Sequence, residues 1–171
     1  MKRSPQRFSA AGETSFGRAR SKAPANRGRR LVSIAIYDHA HFAGVETLWS
    51  EAFPEDSPWN AAATAIPEKL RFQPDLLLVA LDGTQVVGSA MAGYEGHRGW
   101  ISRIAVLQSH RGRGIGQDLL AEAERRLAEL GCIKVNLQVV ESNFATVRFY
   151  EKSGYRVEPR ISMAKHLLPS T

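Results

Sequence analysis

A single cysteine, Cys132, is all the thiol that the 171 residues hold. No disulfide can therefore form within the chain, and a reducing compartment such as the cytoplasm suits it. No stretch approaches the roughly 18 consecutive apolar residues of a membrane-spanning helix, so no membrane role is expected. His39 and His41 stand without the wider ligand set of a metal centre, so no metal is expected either. Acidic residues are nearly missing from the first thirty positions, where nine Lys and Arg face Glu13 alone, a balance of +8. The remaining residues hold 14 basic and 16 acidic side chains, so the overall charge of +6 belongs to one end of the chain.

That end, residues 1–30, is rich in Arg, Ser, Ala, Gly and Pro and has no apolar periodicity. Such a composition buries too little surface to offset ordering, so a disordered basic tail is expected there and a folded domain over 31–171. Three uses of the tail stay open: a dispensable extension, an arm on nucleic acid, or an organelle transit peptide. Phe8 and Phe16 are its only aromatics, too few to interleave with bases, which argues against nucleic acid.

The body alternates in period. "LVSIAIY" (31–37) reads as a strand, and Phe42, Val45, Leu48, Trp49 and Ala52 recur at helical spacing. "PEDSPWN" breaks the chain, with Ser57 and Pro58 suited to cap and open a second helix to about Phe72, disturbed at Pro67. Residues 76–81, a turn at Asp82–Gly83 and residues 86–94 read as an antiparallel hairpin, and "EGHRG" turns into a strand over 100–106. A helix to Leu130 carries Ile115, Leu119, Leu120, Ala123, Leu127 and Leu130 on one face, with Gly131 as its stop. Residues 134–140 read as a strand, 143–152 as a short helix and 154–167 as a closing pair of strands. The predicted class is α/β, a mixed sheet with a long antiparallel run in its middle.

"SHRGRGIGQDLL" (109–120) breaks a local rule. A helix N-terminus leaves N–H groups without intrahelical partners, and Ser, Thr, Asp or Asn usually caps them. None of Arg111 to Gly116 can do so. Glycines ahead of a helix let backbone N–H groups close on an anion, and the helix dipole and two arginines add positive charge. A missing side-chain cap makes sense where a ligand phosphate is the cap. Gly116 is followed by Gln117 and Asp118 rather than Lys-Ser/Thr, which excludes a P-loop. A dinucleotide fingerprint would need glycine at 117 and a parallel unit around it. A merely tight turn is the bland alternative.

Arg-x-x-Gly-x-Gly, here Arg111, Gly114 and Gly116 after "IAV", closely resembles the acyl-CoA pyrophosphate loop of the GNAT superfamily of N-acetyltransferases. "NFATVRFYEKSGY" (143–155) resembles a second signature of that superfamily. The resemblance spans about 31–168 and is most specific from Val86 to Tyr155. It implies a mostly antiparallel sheet with flanking helices, whose strands 100–106 and 134–140 start side by side and splay apart. Acetyl-CoA would then lay its pantetheine arm on the backbone of Ile104, Ala105 and Val106. Its pyrophosphate would rest on the N–H groups of Arg111, Gly112, Arg113, Gly114, Ile115 and Gly116. Asn143 would bond the arm, the Val106 N–H would meet the thioester oxygen, and Tyr150 would protonate the departing sulfur.

The acceptor implied is an amine, and the base is left open. Some relatives carry a glutamate where this chain has Gln138, which cannot take a proton. Glu95 and His97 in "YEGHRG" are chemical substitutes, with Glu141 a further one and plain turn residues the alternative. Glu55, Asp56 and Trp59 lie where the superfamily shapes its acceptor pocket. Cys132, after a helix-ending glycine, is expected to be buried. A catalytically silent acyl-CoA-binding module is the competing function, and a homodimer stays open.

Overall fold

A computed structural model describes residues 32–167; the expectations for the basic tail lie outside the described residues. The element order is β1 (Ser33–Ile36), α1 (Phe42–Ala52), α2 (Ala62–Phe72), β2 (Leu77–Asp82), β3 (Gln85–Tyr94), β4 (Gly99–Val106), α3 (Ile115–Glu129), β5 (Val135–Asn136) and α4 (Phe144–Lys152). The strands form one sheet in sequence order, antiparallel from β1 to β4 and parallel at β4–β5. This is the mixed, mostly antiparallel architecture that the periodicity predicts.

β2 shows why the sheet is sandwiched. Its run of apolar residues is buried on both faces, as expected of a strand covered twice. Leu77 and Val79 face Val45, Leu48, Trp49 and Ile66 of α1 and α2, while Leu78 and Ala80 face Leu119, Leu120, Ala123 and Leu127 of α3. α1 sits so close to β3 that a Cβ on Gly44 would lie 2.8 Å from that of Val86. Past the start of β2, α2 and the turn after it replace the missing strand. The Gln73 carboxamide donates to the Tyr94 carbonyl at 2.8 Å and accepts the Tyr94 N–H at 3.0 Å, and Lys69 Nζ donates to the Ala92 carbonyl.

Several expectations need correction. The second helix is split: a 3-10 turn at Pro58–Asn60 precedes α2, and Ser57 makes no side-chain cap, its own N–H being taken by Asp56 Oδ1 at 2.8 Å. Pro67 lies inside α2 without ending it. The carbonyl it orphans, that of Ala63, belongs to an exposed residue that water can reach. The strand expected over 134–140 shortens to Val135–Asn136, because β5 pairs with β4 only at Gly99 and Trp100. The closing pair of strands does not form among the described residues. From Tyr155 the chain runs on without a ladder, Pro159 offers no N–H, and side-chain links from Lys134 to Glu158 (2.6 Å) and Gln138 to Ser162 (2.6 Å) hold it instead. Cys132 is half-buried rather than buried, and Leu130, expected on the apolar face of the helix, is exposed at its C-cap.

Candidate functional site

β4 and β5 start together and then part, so β4 keeps an unpaired edge beyond Trp100. The Leu107 N–H donates to Val87 on β3 at 2.9 Å. Strand alternation therefore turns the N–H and C=O of Val106, and of Ile104 two residues earlier, toward the unpaired edge. Arg111 Nε already donates to the Val106 carbonyl there, at 3.1 Å. This edge is backbone with hydrogen-bonding capacity to spare.

At its end the chain makes a 3-10 turn, Gln108–His110, whose first N–H is held by Glu51 Oε1 of α1 at 2.8 Å. Gly112 and Gly114 then adopt φ of +73° and +86°, the left-handed region that side chains resist. Gly114 is the N-cap of α3 and makes no side-chain cap bond. Among the described residues, the first-turn N–H groups of α3 thus face outward without a protein acceptor, as the sequence predicts. A Cβ on Gly112 or Gly114 would meet nothing within 4 Å, so both glycines border free space.

That space is a pocket of about 680 Å³, bounded by Val106, the loop residues 110–112, Gly114 to Asp118, and Phe149 of α4. The volume falls in the ordinary range for small-ligand sites. Its charge comes from Arg111 and from the helix dipole. Arg113 turns aside: its Nη1 stands 3.6 Å from Asp82 Oδ2, which His110 Nε2 also approaches at 3.4 Å. Asp82, at the β2–β3 turn, so ties both loop side chains to the sheet.

The remaining predicted residues lie around this pocket at varying distance. Ala105 is buried on the α1 side of the sheet, and Ile104 packs half-buried against the α3 side. Asn143 caps α4, its side chain accepting the Thr146 N–H at 3.1 Å. Tyr150 is buried in the core behind the pocket wall, its ring edge-on to Phe149 at 5.0 Å and to Tyr155 at 5.4 Å. Burial pushes its phenol up to about 12, which keeps the hydroxyl protonated at neutral pH. Burial and the Glu124 carboxylate, 2.7 Å from its hydroxyl, raise Tyr155 as well. Glu95 and His97 are exposed at the β3–β4 turn, where the Glu95 N–H donates to the Arg98 carbonyl at 3.2 Å. Five strand positions, about 17 Å, separate that turn from Ile104, so the structure does not bring Glu95 to the pocket.

One cluster escaped the sequence reading. Arg103 has φ +55° at a bulge in β4, where the register slips between Ser89–Ala105 and Met91–Ser102. Its carbonyl accepts the Ser89 hydroxyl at 2.9 Å, and Ser89 Oγ accepts the Trp49 indole N–H at 2.9 Å. Its guanidinium lies over the rings of Trp49 and Phe53 and reaches Asp56 Oδ2 at 2.5 Å. The available signal was a charged residue inside the apolar run "WISRIAV". Among the described residues no group of three or more His, Cys, Asp or Glu could hold a metal ion. No described helix is long and apolar enough to cross a membrane.

This splayed sheet with a glycine loop opening a helix is the architecture of an acetyltransferase family. The model of the acetyltransferase (GNAT) family matches residues 34–155. The chain is 39% identical over 137 residues to an acetyltransferase of Pectobacterium atrosepticum, covering 80% of this chain and 96% of that one. It is 40% identical over 130 residues to an acetyltransferase of Sodalis glossinidius, covering 76% and 91%. Among solved structures, a putative acetyltransferase from Agrobacterium tumefaciens superposes with a TM-score of 0.65 at 21% identity, over 78% of this chain and 99% of that one. The aminoglycoside N-acetyltransferase AAC(6')-Iy, in complex with CoA, superposes with a TM-score of 0.64 at 21% identity, over 82% and 99%. The likeness to these structures is one of fold. The chain belongs to the GNAT family of acetyltransferases.

Proposed function

We propose that the protein transfers the acetyl group of acetyl-CoA to a primary amine, on a small molecule or a peptide, by direct attack in a ternary complex. The observation that carries this reading is the uncapped N-terminus of α3, whose left-handed Gly114 and outward N–H groups border a pocket beside an unpaired strand edge. The residues fit a phosphate-bearing thioester. Gly112, Gly114 and the first-turn amides of α3 would hold the pyrophosphate, with Arg111 and the helix dipole supplying charge and Arg113 offering its backbone N–H. Ile104, Ala105 and Val106 offer backbone to an extended arm, and Asn143 has side-chain N–H groups to spare. Acetyl-CoA supplies an acetyl thioester: the amine nitrogen bonds to the carbonyl carbon, the C–S bond breaks, the amine loses a proton and the thiolate gains one.

The chain's own groups manage those charges. The Val106 N–H, turned to the unpaired edge, is the donor for an oxygen that becomes negative in the transition state. Tyr150, held protonated by burial, is the general acid for the sulfur. Glu95, the base that the residue types suggest, stands about 17 Å from Ile104 along β4, beyond the one-water reach of a general base, so the amine's proton is left to water. An α-amine, with a pKa of about 7.7–8.0, asks less of such a base than a lysine-type amine at about 10.4. The distance of Glu95 from the pocket favours one second reading, a silent acyl-CoA-binding module. Calorimetry with acetyl-CoA, followed by an amine panel scored for free thiol, separates them. Binding with turnover supports the transferase, binding without turnover the module, and no binding sinks both.

A further inference from the structure

Arg103 is held between two aromatic rings and a carboxylate. Its side chain is 11% exposed, its guanidinium centre lies 5.1 Å from the Trp49 ring and 4.8 Å from the Phe53 ring, and one nitrogen, Nη1, meets Asp56 Oδ2 at 2.5 Å. A guanidinium carries five N–H donors. Asp56 Oδ2 is the sole acceptor that meets them among the described residues. Asp56 cannot supply a second oxygen, because its Oδ1 is taken by the Ser57 N–H at 2.8 Å and by Asn60 Nδ2 at 2.7 Å. A planar fork suited to two carboxylate oxygens is thus fixed between aromatic walls and half used.

Its place gives that fork a use. Arg103 immediately precedes Ile104, where the unpaired edge of β4 leads back from the pocket at Val106. The pocket wall is built from α3 and α4, whereas Arg103 projects among Trp49, Phe53 and Asp56 on the α1 side. With a thioester lying along the edge from the α3 side, an attacking amine comes to it from the α1 side and meets the guanidinium. A cationic group there is repelled, and an anionic group attached to the amine is bound. Asp56 remains on Nη1, limiting the positive charge of the site when no acceptor is present.

We propose that Arg103 selects the acceptor, and that the acceptor is an amine bearing a carboxylate, of the amino-acid class, whose carboxylate takes the N–H donors that Asp56 leaves unused. This rests on the acetyl-transfer reading above. Charge-assisted pairing of this kind is strong enough to change affinity by at least about tenfold.

The test uses the full chain with acetyl-CoA and a panel in which each amino acid is paired with its decarboxylated amine. Amino acids are expected to react with kcat/KM at least about tenfold above their partners. Arg103→Gln should abolish the preference by raising KM for the amino acids, with KM for acetyl-CoA unchanged, and Arg103→Lys should restore part of it. Because Arg103 sits at a strained bulge, Asp56→Asn provides a second variant that keeps the guanidinium. It should leave the preference intact with KM for amino acids unchanged or lower. Equal or faster reaction of the decarboxylated amines overturns the proposal while acetyl transfer stands. So does a rise of tenfold or more in KM for Asp56→Asn, which would make Asp56 the receiver of an acceptor cation. Acetyl-CoA binding with no turnover of any amino acid in the panel overturns this proposal and leaves acetyl transfer to the wider amine panel above, whereas no acetyl-CoA binding overturns both readings.

Discussion

Ser89 donates its hydroxyl to the backbone carbonyl of Arg103 at 2.9 Å, across the β3–β4 pair. The serine is fully buried, and its oxygen also accepts the Trp49 indole N–H at 2.9 Å. Three polar groups so satisfy one another in an apolar interior, at the residue where β4 bulges. Ser89→Ala leaves the indole N–H and the Arg103 carbonyl without this partner, a loss of about 1–3 kcal/mol. Urea unfolding should show a lower midpoint with an unchanged slope. An unchanged midpoint would mean that water takes the place of the hydroxyl.

The sequence carried the elements whose signal is local and lost those whose shape depends on partners. α3 was legible because its apolar stripe, its uncapped glycine start and the Gly131 stop all agree, and Gly131 does take φ +85°. β2 was legible because an unbroken apolar run fits a strand covered on both faces. β5 was overextended because the alternation of "KVNLQVV" says nothing about where the neighbouring strand departs. The glycine turn that opens α3 was legible because a helix start without a side-chain cap, set among glycines, is visible in the order of residues alone. Arg103 could not, because its partners Trp49, Phe53 and Asp56 are some fifty positions away and meet it only in the fold.

Gly114→Ala tests the anion loop. An added Cβ meets no atom within 4 Å, so the direct structural penalty is that of a side chain at φ +86°, roughly 1–2 kcal/mol. That same Cβ borders the pocket, where a pyrophosphate would need the backbone to itself. Affinity for CoA should fall at least about tenfold, as measured by calorimetry at a temperature where both proteins are folded. Equal affinities would remove the phosphate role from this loop.

Lys69 gives the fold a pH dependence of predictable sign. Its ammonium is half-buried against the Ala92 carbonyl, and burial pushes its pKa down to about 8. Between that value and the ordinary 10.5, the unfolded chain holds the proton and the folded one has released it. Stability should therefore rise with pH across this window, and the penalty of the buried charge is fully present below pH 8. Lys69→Met keeps the stem and removes the titration. Unfolding free energies of both proteins at pH 7 to 10 should show the parent gaining on the variant as pH rises. A constant difference would show the ammonium to be solvated.

Tyr150→Phe separates chemistry from packing. The ring lies edge-on to Phe149 and Tyr155 in the core, and phenylalanine preserves those contacts. Affinity for acetyl-CoA should stay near the parent value. A thiol of pKa about 8.5 is a moderate leaving group, so its protonation helps without being indispensable. Turnover should fall at least about tenfold, toward the low end of what general acids contribute, with water as the substitute donor. The pH profile adds a readout that packing alone would not move. With its pKa pushed up to about 12, Tyr150 stays protonated from pH 7 to 10. The parent rate should therefore climb as the amine deprotonates, with no descending limb from Tyr150 in that range. The variant should keep the climb at a lower level throughout. A variant that turns over like the parent at every pH would leave Tyr150 as a packing residue and pass the proton to water or to another side chain.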